Sequence, residues 1–106
     1  MIGTGGCGST SFNINIISNE DLEDVTGDWN EAGVGDNSAI AVTCAVTLPP
    51  TMAPVPCDIA RVSGATVQTS YHGFYEATGT CDSRPSYECL DCSGSGRKIW
   101  HHPYGY

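Results

Sequence analysis

Positive charge is nearly absent from this chain: four Lys and Arg stand against twelve Asp and Glu, a net charge of −8. Nucleic-acid backbones and anionic membrane surfaces are held by Lys and Arg, so neither is an expected partner. No stretch approaches the ~18–20 consecutive apolar residues that cross a bilayer, so no membrane insertion is expected. Leucine occurs only at positions 22, 48 and 90. With so few large apolar side chains, hydrophobic burial alone would leave the fold marginal. No segment of ten residues sustains a helical period. The first six residues lack the charged and apolar regions of a secretory leader, and Ile2 stands where a myristoylation signal needs glycine.

What the 106 residues do contain is 13 Gly, 10 Ser, 10 Thr, 6 Pro and 6 Cys. The length is that of about one domain. An even cysteine count in a small, core-poor chain reads as a disulfide framework formed in an oxidising compartment, and it involves Cys7, Cys44, Cys57, Cys81, Cys89 and Cys92. Each bridge adds roughly 2–4 kcal/mol, and the sequence does not choose among the pairings. The expected location is extracellular or the cell surface. On that reading the chain is a mature fragment whose Met1 was never an initiator.

Residues 1–10 read as a Gly-rich, irregular or extended arm. Alternation predicts a half-buried strand over 11–18, with Phe12, Ile14 and Ile16 on one face and Asn13 and Asn15 on the other. Residues 19–37 form an acidic loop with a brief strand around Trp29, where Leu22, Val25 and Trp29 are the apolar anchors. A clear strand follows over 38–48, with Ile40, Val42, Cys44, Val46 and Leu48 alternating. Four prolines in 49–56 make a semi-rigid linker. Short strands are expected at 59–62, 65–68, 72–77, 86–90 and 98–102. The fold class is therefore all-β, a small disulfide-stapled sandwich or barrel of short antiparallel strands. The chain divides into an N-terminal arm and strands (1–48), a Pro-rich linker (49–57) and a Cys- and aromatic-rich half (58–106).

Chemistry is thinly supplied. Cys89 and Cys92 form a C-x-x-C followed by His101 and His102, but adjacent strand residues point to opposite faces, so both imidazoles cannot reach one ion. Residues 28–39 resemble a calcium loop, yet no ligand stands at its fifth position, and Ala39 sits where the bidentate Glu belongs. No nucleophile elbow accompanies His72 and Ser70. No catalytic residue, metal ligand or cofactor is assigned, and the chain is not expected to be an enzyme. Tyr71, Tyr75, Tyr87, Trp100, Tyr104 and Tyr106 would serve a carbohydrate-binding face if they shared one side of a sheet; core packing is the competing use, expected for Phe74, Tyr87 and Trp100.

Residues 73–100 carry a pattern: Gly73-Phe74-Tyr75, Gly79-Thr80-Cys81, Arg84-Pro85-Ser86-Tyr87-Glu88-Cys89, Cys92-Ser93-Gly94 and Ile99-Trp100. This resembles a small β-rich module repeated in secreted proteins of algae, other protists and some marine animals. There the pattern closes on a Trp-x-Ile-Gly strand. Met1-Ile2-Gly3 and Cys7-Gly8-Ser9-Thr10 look like the continuation that follows Tyr106. The resemblance therefore implies one repeat period cut out of phase, and it implies no catalytic activity or cofactor.

The expectation is an extracellular structural protein, the head-to-tail subunit of a fibre or long surface glycoprotein, held by strand exchange and disulfides. Its partners are other copies of itself and covalent or bound glycans. Phe12, Ile14, Ile16, Trp100, Tyr104 and Tyr106 are the assembly candidates, and Ile14→Asp is expected to block assembly while leaving each module folded. The alternative for the N-terminal strand is that it folds back into its own sheet. No N-x-Ser/Thr sequon is present, so glycosylation is expected at Thr47, Pro49, Pro50 and Thr51 in the Pro-rich segment. The alternative function is a secreted carbohydrate-binding or adhesion module.

Overall fold

The computed structural model describes all residues except 19, 21, 23, 24, 26, 47–57, 93–95 and 104; the side chains of 45 and 46 are likewise outside the description. Nine strands are present among the described residues: β1 (Ile2–Gly3), β2 (Phe12–Asn15), β3 (Trp29–Glu31), β4 (Gly35–Asn37), β5 (Ala41–Val46), β6 (Ile59–Ser63), β7 (Gly73–Cys81), β8 (Arg84–Cys89) and β9 (Lys98–Ile99). They form one antiparallel sheet in the order β4-β3-β2-β1-β9-β8-β7-β6-β5. The fold is all-β, and a 3-10 turn spans Thr69–Tyr71.

The order requires curling. Laid flat, nine strands at about 4.8 Å spacing would hold the edges β4 and β5 nearly 40 Å apart. Only residues 38–40 separate those edges in sequence, a span of at most about 14 Å. The sheet therefore bends round on itself as a half-barrel. Because every neighbouring pair is antiparallel, β4 and β5 run in the same direction and act as one bent strand. Its first part pairs with β3 and its second with β6.

Alternation places the core. Ile14 is fully buried and Ile16 nearly so, while the alternating Asn13 and Asn15 positions are only partly buried. Ile2, Ile99, Val62, Tyr75, Tyr87, Tyr71, Tyr106, Leu22, Trp29 and Ile40 join them in the main cluster. A second, smaller cluster holds Met1, Cys81 and Trp100, with Phe12 packed against it. Aromatic rings thus supply the volume that leucine does not. Phe74, expected in the core, is instead 39 % exposed, since it alternates with inward-facing Tyr75 on β7.

Several strand expectations change: residues 35–37 of the expected acidic loop form β4, and the strand expected over 98–102 is Lys98–Ile99. The arm 1–10 contains β1, in mid-sheet. Residues 65–68 form no strand, because the amides of 66–68 turn towards the Glu31 carboxylate and that of Ala65 towards the His72 imidazole. Strand β7 continues through Gly79 to Cys81, with a register shift between Ala77 and Gly79 that leaves Thr78 as the extra residue of a bulge. The segment 49–57 lies outside the described residues. The strands of 1–48 and those of 58–106 meet at β1/β9 and at β5/β6.

Candidate functional site

Two places draw distant parts of the chain together: the closure beside β4 and β5, and the strand that runs through the chain ends.

At the closure, Glu31 points inward from β3 and is fully buried. One carboxylate oxygen accepts from the amides of Val67 and Gln68, each at 2.7 Å, and of Thr66 at 3.0 Å. The other accepts from Asn37 Nδ2 at 2.9 Å and Thr66 Oγ1 at 3.2 Å. Three successive backbone N–H groups make a concave anion nest. Burial alone would raise the Glu31 pKa, but the bonds from Gln68, Asn37, Val67 and Thr66 outweigh it and hold the value at about 2. Around this anchor Asn37 Nδ2 donates to Gly64 O, Gln68 Nε2 to Ala32 O, and Tyr71 Oη to Asn13 Oδ1. Gly64, at φ +89°, lies against the Ala39 carbonyl with no room for a Cβ. His72 Nε2 accepts from the Ala65 amide, a structural use of that imidazole. The Glu31 nest was missed in the sequence, where Glu31 is one acid among seven in an acidic run.

The chain ends meet inside the sheet. His102 and Gly105 exchange both backbone hydrogen bonds, each 2.8 Å. Met1 N donates to Trp100 O at 2.8 Å, and Trp100 N donates to Met1 O at 2.9 Å. Doubly bonded pairs recur every second residue in an antiparallel ladder. Two residues before His102 is Trp100; two positions after Gly105 is the place following Tyr106, and Met1 occupies it. The pairs Ile2↔Ile99 and Gly3↔Lys98 continue the count. The opposite neighbour agrees: Ile16 N donates to Tyr106 O, and Ile14 lies across from Ile2. Residues 105, 106, 1, 2 and 3 therefore fill consecutive positions of one strand between β9 and β2.

This strand is closely packed. Gly3 approaches the Ser11–Phe12 backbone so tightly that a Cβ would lie 2.6 Å from Phe12 Cα, with the Trp100 ring 3.2 Å away. Tyr106 and Ile2 are fully buried. His101 meets the Tyr106 ring edge-on at 4.9 Å, and its Nδ1 lies 2.8 Å from Asp82 Oδ2. Asp82 and Ser83 form the tight β7–β8 turn, both at positive φ. The Cys7–Cys81 disulfide fastens the same turn to the segment after β1. Burial pulls the Met1 ammonium well below its ordinary pKa.

The assembly candidates Phe12, Ile14, Ile16, Trp100 and Tyr106 come together here, within one chain, and Tyr104 lies outside the described residues. Cys89 and Cys92 are bonded to each other. Cys44 is also disulfide-bonded, while Cys57, Thr47, Pro49, Pro50 and Thr51 lie outside the described residues. Residues 28–39 contain the β3–β4 hairpin, with Glu31 committed to the nest. A cavity of about 360 Å³ on this hairpin is lined by Asn15, Ile16, Ile17, Asp28, Asn30 and Asp36. Tyr71, Tyr75, Tyr87, Trp100 and Tyr106 are all buried, so these rings form core and not a sugar-binding platform. Comparison with family models, with curated proteins and with solved structures returns no match.

Proposed function

We propose that the chain is an extracellular structural module that repeats head to tail along a fibre or long surface glycoprotein. The observation that carries this reading is the unbroken ladder register from Gly105 through Tyr106, Met1 and Ile2 to Gly3. A unit whose last strand residues lead in register into the first ones is built to be strung in series. Its disulfides suit an oxidising compartment. With its described tyrosines and tryptophans folded inward, its role is mechanical: paired strands and covalent cross-links carry load. The acidic surface keeps neighbouring modules apart, and the Pro-rich segment 49–57 spaces them, carrying glycans at Thr47, Pro49, Pro50 and Thr51.

The test is negative-stain microscopy of native, non-reduced material. The module measures 42 × 26 × 25 Å, and eleven residues from 47 to 57 reach at most about 39 Å. Beaded filaments with a spacing below about 8 nm are expected. Dispersed single particles, together with selective binding on a glycan array, would transfer the assignment to a carbohydrate-binding or adhesion module.

A further inference from the structure

We propose that the folded unit of the assembled protein is made by two copies of this chain: residues 58–106 of one copy, continued by a Tyr106–Met1 peptide bond into residues 1–46 of the next. This rests on the head-to-tail reading and names the partner at the junction strand, a second copy of the same chain.

The geometry supplies the argument. Strand register already counts Met1 as the residue after Tyr106 on both sides of the strand, against Trp100 on one and, through Ile2, against Ile14 on the other. A peptide N–H at the Met1 position donates the Trp100 bond with no charge to desolvate, whereas an ammonium there is a charge out of water. Entry and exit also agree. Val46 lies opposite Ile59, so a unit beginning at β6 and ending at β5 takes in and releases its chain at one place. The segment 47–57 then leads to β6 of the following unit. A single chain and an array fill the same sheet positions. They differ in which copy supplies β1 to β5, and a peptide bond after Tyr106 gives the next copy the junction position.

One covalent consequence separates the two. In an array the Cys7–Cys81 bridge becomes a cross-copy bond, from Cys81 of one copy to Cys7 of the next. Its formation removes two protons and two electrons from the thiols, accepted by a disulfide oxidant such as oxidised glutathione.

The experiment uses a chain of two complete copies joined directly, refolded with oxidised and reduced glutathione. The first copy carries Cys7→Ser, and the second carries Thr80→Ser, an exposed position, as a mass label. The one remaining Cys7 then has two Cys81 residues to choose from. Alkylation of the free thiol and peptide mass analysis should place the label on Cys81 of the second copy, with the first-copy Cys81 protected. Moving Cys7→Ser to the second copy should expose the first-copy Cys81 instead. Label on the first-copy Cys81 in the first chain, or equal label on both, overturns the proposal. Cross-copy bridging without filaments in native material would remove the fibre role and leave this inference standing. Filaments with bridging only inside each copy would do the reverse.

Discussion

The Cys7–Cys81 disulfide joins residues separated by 74 positions, and Cys89–Cys92 residues separated by 3. On the chain-entropy account, closing the longer loop stabilises the fold by about 4.5 kcal/mol and the shorter by about 2 kcal/mol. A domain of this size has about 5–15 kcal/mol of stability in all, so the first bridge is a large share of it. The perturbation is Cys7→Ser with Cys81→Ala, the alanine chosen because Cys81 is buried; the comparison is Cys89→Ser with Cys92→Ser. Urea unfolding followed by tryptophan fluorescence suits both, since Trp100 packs in the cluster with Cys81. At a slope of about 2 kcal/mol per molar urea, the midpoint should fall by about 2 M in the first variant and about 1 M in the second. Equal losses, or a larger loss for Cys89/Cys92, would refute the assignment of the long bridge as the principal staple.

Ile14→Ala removes a fully buried core side chain on β2 and should cost about 2–5 kcal/mol, read from thermal melts. For the same reason Ile14→Asp should unfold the module, in place of the assembly-only defect expected from the sequence. Glu31 has a folded pKa of about 2 against an ordinary 4.5. Its depressed value contributes stability that is present above pH 4.5 and lost as pH falls towards 2. Melting temperature against pH should show that loss, and Glu31→Gln should be weaker at pH 7 with a flatter acid limb; an unchanged acid limb would count against the nest. Gly64→Ala forces a Cβ at φ +89° into the Ala39 carbonyl and should cost at least about 1 kcal/mol, measured by denaturant midpoint.

Where one face of a strand is buried, the sequence was readable. The alternation of Phe12, Ile14 and Ile16 with Asn13 and Asn15 placed β2 correctly, and Ile40 with Val42 located β5. Short strands that pair mainly through backbone gave no such signal. Ile2–Gly3 and Gly35–Asn37 have too few side chains for a period to show, and their existence depends on partners distant in sequence. Residues 65–68 failed for another reason: the amides of Thr66, Val67 and Gln68 bind Glu31, 35 to 37 residues away, and no local pattern reports a contact of that kind. The tyrosines were visible as a set, but whether they faced core or solvent depended on the curl of the sheet. That curl follows from the β4–β5 link and not from any single segment.

The central claim is that residues 105, 106, 1, 2 and 3 form one strand, and amide hydrogen exchange tests it most directly. A rearranged chain running 47–106 and then 1–46 keeps every residue and turns the Met1 nitrogen into an amide. The account predicts that this amide, bonded to Trp100 O, exchanges as slowly as those of β9 and β2 beside it. Exchange at the rate of an unfolded chain, in an otherwise folded protein, would contradict it.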